Sequence, residues 1–245
     1  MSALAHKIES RGLPTTVVGL VRLHLETVRP PRALWTPFQL GRPFGEPSDA
    51  DFQRRVVTAA LRLLERNDGP TLLEDYGEDA PSMVDRPGWR PALSLPPVSA
   101  TAGSAPADWS TRLAAELALV RPQWEAAKAS TGRTTVGVCG LPPEAWPAFV
   151  GECLAGRLPA GPEPWKHPTA LALRFVSDDI KALYGEAAQH GVPLPSSRQL
   201  DTWFWTQTTA GALLKAVRTM AMASENNALK TVGSRYFVPT PYLGS

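Results

Sequence analysis

The chain has 245 residues, 43% of them hydrophobic and 20% charged, with a formal net charge of +2. That balance suits one or two folded domains and offers no basic surface for nucleic acid or an anionic membrane. No run approaches the roughly 20 apolar residues that cross a bilayer, and the opening residues lack the apolar core of a signal peptide, so a cytoplasmic location without membrane contact is expected.

The fold class expected is α/β: a small parallel-sheet unit over residues 1–78, a Pro-rich linker or strap over 79–107, and a mainly helical unit over 108–245. Residues 3–11 read as a helix stopped by Gly12, which suits the left-handed position after a helix. "LPTTVVGLV" (13–21) then reads as a strand buried on both faces, and "RALWTPF" (32–38) as a second. Over 49–66 the apolar residues Phe52, Val56, Ala60, Leu63 and Leu64 gather on one helical face. Ser48 is the expected cap, Asp51 takes the acid position of a capping box, and Asp51 is expected to pair with Arg55 one turn on. The unit thus reads helix, strand, strand, helix.

The stretch 79–107 is rich in Pro, Ser, Ala and Gly without periodicity, with Trp89, Leu93 and Leu95 available to tack it onto a surface. Beyond it, Trp109, Leu113, Leu117 and Val120 form a helical stripe that Pro122 is expected to end or kink. "TTVGVCGL" (134–141) suggests a short strand, 143–154 a Pro-initiated helix, and 170–190 a short apolar run followed by a helix that Asp178 and Asp179 help to start. The longest helix is expected over 196–224, where a stripe from Leu200 to Ala221 follows a serine cap without any proline. "WFW" (203–205) reads as core or interface rather than as a stacking platform.

Chemistry is expected at the carboxyl ends of the parallel strands, where connecting loops form a crevice. Two segments should meet there, "RLHLETVR" (22–29) and "PFQLGRPFGEPSD" (37–49). His24 and Glu26 are the catalytic candidates, as a base and its neighbouring acid, and Arg22, Arg29, Arg32 and Arg42 can clamp a carboxylate. In the second segment, prolines 37, 43 and 47 restrict the backbone while Gly41 and Gly45 let it turn, so this loop joins the substrate-binding set. "GRPFG" matches neither a P-loop nor a dinucleotide fingerprint, and no cofactor is indicated. Four histidines at no ligand spacing and two cysteines outside any CxxC argue against a metal. Cys139 and Cys153 read as small buried hydrophobes.

Residues 9–61 resemble the C-terminal part of the B-type selenoprotein of the glycine, sarcosine, betaine and D-proline reductases and its selenium-free relatives. Gly12, Leu13, Pro14 and Thr15 match the family's entry into a strand, and Leu40, Gly41 and Pro43 its loop before a helix. The resemblance implies reductive cleavage at the α-carbon of a small amine by a selenol or thiol. The family's redox pair should precede the first helix, and no residue of this sequence takes that role. The expectation is therefore a non-redox, selenium-free subunit of an oxidoreductase complex, acting on a small amine or amino-acid-like substrate with a sister α/β subunit. A stand-alone enzyme with its site near residues 24–32, and a structural or regulatory binding module, stay open beside it.

Overall fold

The computed structural model describes residues 2–69, 71–98, 105–163 and 167–244. Two units emerge, Met1–Pro87 with Ser196–Arg198, and Gly88–Pro195 with Gln199–Ser245.

In the first unit, α1 (Ser2–Glu9) ends before Gly12, which takes φ +82°. The apolar run that follows contributes only a short strand, β1 (Val17–Gly19), and β2 is Arg32–Trp35. Between them, "RLHLETV" is a helix, α2 (Arg22–Val28), rather than an open loop. Its alternating leucines mask a helix that shows one buried face residue, Leu25, and Pro30 and Pro31 enforce its end. Arg29 closes α2 in the left-handed region at φ 50°, its N–H donating to the Leu25 carbonyl at 2.8 Å. Leu25 lies against Gly19, where a Cβ would approach its side chain to 2.8 Å.

A third strand, β3 (Leu72–Asp75), completes a parallel sheet of order β1-β2-β3. Its acidic second half, Glu74 and Asp75, hides it from an apolar pattern search. Val18 pairs with Leu34 and Leu34 with Glu74. Ala33 and Leu34 on the central strand are both buried, so both faces of β2 are covered, as parallel strands require. One cover is α3 (Ala50–Arg62), whose Phe52, Val56 and Ala60 form a core with Leu34, Phe38 and Leu63. Asp49, not Ser48, caps α3 by accepting from Phe52 N–H at 3.0 Å, while Ser48 occupies the left-handed region at φ 67°. Asp51 pairs with Arg54 at 3.1 Å, and Arg55 turns instead to Glu78 at 3.0 Å.

The Pro-rich stretch is shared between the units. Ala80 and Met83 belong to the first core, whereas Trp89, Leu93 and Leu95 pack on the second. Residues 99–104 of that stretch lie outside the described residues.

The second unit is helical, with α4 (Pro106–Thr131), α5 (Trp146–Leu154), α6 (Thr169–Gln189), all of α7 (Ser197–Gln207) beyond its first two residues, α8 (Thr209–Ala223) and α9 (Asn227–Arg235). Pro122 does not end α4, which runs on through it as one helix. The proline forfeits a single N–H bond, and the stripe from Trp109 to Ala127 stays buried on both sides of it against α5, α6 and α8. The segment expected as the longest helix breaks at Thr208, which caps α8 by accepting from Gly211 N–H at 2.9 Å while donating to the Phe204 carbonyl at 2.7 Å. A Cβ at Gly211 would collide with that same carbonyl, so the two helices meet at a bare backbone. Trp203, Phe204 and Trp205 are buried, as expected of core residues.

Carboxylates aimed at backbone N–H groups organise this unit. Buried Glu116 of α4 accepts from the Tyr184 hydroxyl (2.8 Å) and from the N–H groups of Thr209 (2.8 Å) and Ala210 (3.0 Å), joining α4, α6 and the start of α8. Residues 134–141 form a loop instead of a strand, because two acids on α6 take up its donors. Asp179 accepts from Gly137, Val138 and Cys139, at 3.1, 3.1 and 2.9 Å. Glu186 accepts from Thr135 N–H (2.7 Å), the Thr134 and Thr135 hydroxyls and the Trp124 indole (2.9 Å). Asp178 and Asp179 therefore lie within α6 rather than at a helix start, the first pairing with Lys181 at 2.7 Å and the second buried.

Replacing Glu116 with Ala leaves buried donors unpaired on two helices, and chemical denaturation should show a loss of about 3 kcal/mol. Burial works to raise the pKa of Glu186, but the bonds from Thr135, Thr134 and Trp124 outweigh it and hold the carboxyl below its ordinary value. Its contribution to stability is then complete at neutral pH and disappears as pH falls through and below the ordinary glutamate range. Denaturation of the native chain and of Glu186→Gln across that range should show the difference between the two shrinking with acidification.

Candidate functional site

The Pro/Gly loop after β2 is stitched to itself and to the helix behind it. Arg42 N–H donates to the Gln39 carbonyl and Gly45 N–H to the Arg42 carbonyl, both at 3.0 Å, and buried Thr36 donates from its hydroxyl to the Pro43 carbonyl at 3.3 Å. Arg42 also pairs with Glu46 at 2.8 Å, and Gln53 of α3 donates to the Glu46 carbonyl at 2.6 Å. Gly45 has φ +88°, and a Cβ there would stand 2.5 Å from the Phe52 ring. The stiffness thus serves packing. It lets Phe52 seat beside Phe38 (centroids 5.5 Å apart), and Tyr76, just past β3, closes an aromatic triangle at 5.8 Å from Phe38 and 6.2 Å from Phe52.

Tyr76 also borders a cleft of this unit. An open cleft of about 510 Å³ runs along α3. The helix contributes Asp51, Arg54, Arg55, Thr58, Ala59 and Arg62, and the segment after β3 contributes Tyr76 and Glu78. Arg55 is fixed twice, by its ion pair with Glu78 and by lying over the Phe52 ring at 5.1 Å. The Tyr76 hydroxyl donates to Glu78 at 3.4 Å, and burial together with the Glu78 charge raises its pKa, so the phenol remains a proton donor at neutral pH. Three guanidiniums face two carboxylates, leaving one net positive charge on the lining.

The residues anticipated from sequence fall elsewhere. Arg22 leaves the carboxyl end of β1 and is held by Glu26, by Asp75 at 3.2 Å and over the Trp35 ring at 5.8 Å. His24 and Glu26, two apart on a helix, diverge, and with Glu26 engaged by Arg22 they form no acid–base pair. Arg29 and Arg32 belong to the opposite, amino end of β2. There Arg32 pairs with Glu9 at 2.9 Å, and Glu9 also accepts from the N–H and hydroxyl of Thr15. Gly41, Arg42 and Gly45 share the carboxyl edge with Arg22, but in the loop framework just described. None of these eight lines the cleft.

The cleft residues carried one sequence signal. Asp51, Arg55, Thr58 and Arg62 recur at helical spacing beside the apolar stripe of α3, a pattern that reads as a solvated face until β3 and Tyr76 supply the second side. The two thiols stand apart from this chemistry. Burial, with the Asp179 carboxylate, pushes Cys139 up to about 12, and burial, with Glu152, does the same to Cys153.

Gly45→Ala meets both the left-handed backbone and the Phe52 ring and should cost about 2 kcal/mol or more, whereas Gly41→Ala, at φ +90° but with open space, should cost about 1 kcal/mol. Thermal melting of the two variants distinguishes a packing constraint from a purely conformational one.

Compared with known proteins, the chain matches no family model, no curated protein and no solved structure.

Proposed function

We propose that this chain is a non-redox subunit of a cytoplasmic enzyme complex related to the glycine and D-proline reductases, serving a small amine or amino-acid-like substrate beside a sister α/β subunit. The observation that carries the reading is the sheet. Three short parallel strands leave the outer edges of β1 and β3 without a strand partner among the described residues. Parallel sheets are normally covered and edge-protected, and an open edge favours pairing with another chain. Val21, Leu23 and Leu40 follow the carboxyl ends of β1 and β2 and are more than half exposed, which adds apolar surface at the carboxyl end of the sheet.

The thiols support the non-redox part. A nucleophilic cysteine needs an exposed, electropositive setting that lowers its pKa, and both cysteines here are buried with pKa values moved the opposite way. Reducing power in such a complex then comes from the sister chain. A second reading, a binding module acting alone, is favoured by the arginine-lined cleft, which needs no partner to form.

Purification from the native source with identification of bound chains tests the proposal. The expected result is a heteromer with an α/β chain carrying a reactive cysteine or selenocysteine, joined over more than about 2,000 Å². A monodisperse monomer that melts cooperatively and gains no stability from any co-purified protein overturns it. On the folded chain, Cys139 and Cys153 should both resist an aromatic disulfide reagent at pH 8 and react once denatured.

A further inference from the structure

We propose that the cleft along α3 binds a small organic monocarboxylate, with Arg62 as the principal anchor and the carbon body of the ligand lying over Thr58 and Ala59 towards Tyr76. The inference concerns this chain's own cavity and holds with or without a partner subunit.

The charges single out the ligand's sign and valence. Arg54 is matched by Asp51 at 3.1 Å and Arg55 by Glu78 at 3.0 Å, so both local pairs are neutral. Arg62 is the remaining cation of the lining and has no ion pair among the described residues. One anionic group brings the lining to neutrality, and a guanidinium offers the planar fork that a carboxylate fits with two parallel hydrogen bonds.

The spacing describes the rest of the molecule. Arg55 and Arg62 lie seven residues apart, about 10 Å along a helix axis. Between them α3 presents only Thr58 and Ala59, small side chains that leave the cleft open. At the far end stands Tyr76, its ring held edge-on by Phe38 and Phe52. Arginine stems, a threonine methyl, an alanine and a tyrosine ring make a surface for apolar or aromatic carbon rather than for a compact, fully hydrated ion. A second anionic group on the ligand would meet Glu78 and Asp51, which disfavours dicarboxylates.

Titration of the full chain, or of its complex where one co-purifies, with 3-phenylpropionate, inorganic phosphate and benzylamine tests this by calorimetry. The expected result is binding of 3-phenylpropionate with Kd of about 1 mM or tighter, with phosphate and benzylamine at least tenfold weaker. Arg62→Gln should weaken the carboxylate by about tenfold, and Thr58→Trp, which fills the cleft without changing its charge, should abolish binding; Arg11→Gln, outside the cleft, should leave it unchanged. Circular dichroism melting of each variant establishes that it is folded. Unchanged affinity in folded Arg62→Gln and Thr58→Trp, tighter binding of phosphate, equal binding of benzylamine, or no carboxylate binding at about 10 mM would each overturn the proposal. None of these outcomes bears on whether a sister subunit exists, so this reading and the subunit reading fail independently.

Discussion

Phe52 pressed against the bare backbone of Gly45 is the contact on which the first unit's functional surface depends. It joins the loop after β2 to the first turn of α3 at a distance no side chain on residue 45 would allow. Because Phe52 is held there, it can meet Phe38 and Tyr76 together, and the three rings tie loop, helix and the exit of β3 into one body. Prolines 37, 43 and 47 lower the entropy of the unfolded loop and so reduce the cost of ordering it, while Gly41 and Gly45 supply its left-handed turns at an entropic cost of their own. The cleft is a by-product of that arrangement, since Arg55 rests on Phe52 and Tyr76 supplies the end of the cavity.

The helical unit solves a different problem by the same economy of donors. Helix starts and irregular loops carry N–H groups that must find acceptors once water is excluded. Glu116 accepts from the first turn of α8, and Asp179 and Glu186 accept from the loop over 134–141. An acid on a packed helix thereby acts as a fixed docking point for backbone, and charge-assisted bonds are the stronger kind. Cys139 is carried inward with this loop, and its burial beside the Asp179 carboxylate raises the pKa of the thiol.

These two arrangements bear directly on function. Most charged side chains that a sequence search picks out are consumed in holding the first unit together: Arg22 with Glu26 and Asp75, Arg32 with Glu9, Arg42 with Glu46. What they leave over is a sheet whose outer strands have no further strand partner among the described residues, and an arginine-lined groove with one positive charge in excess. The first underlies the proposed partner chain, and the second the proposed carboxylate site.

By itself, the sequence determined the α/β-then-helical order, the apolar face of α3, the helix stop at Gly12 and the burial of the Trp203–Phe204–Trp205 run. Each is local: apolar spacing, glycine chemistry and side-chain size act within a few residues. Tertiary structure decided what depends on residues far apart in the chain. It recruited the half-acidic β3 into the sheet, because backbone pairing with β2 does not require apolar side chains throughout. It also let α4 continue through Pro122, broke the expected long helix at Thr208, and held 134–141 as a loop, because buried partners outweighed local preference at each point. The candidate site followed the same rule. His24 and Glu26 are neighbours in sequence but diverge on a helix, whereas Arg62 and Tyr76 come to line one cleft only because α3 and β3 are joined through the parallel sheet and its aromatic triangle.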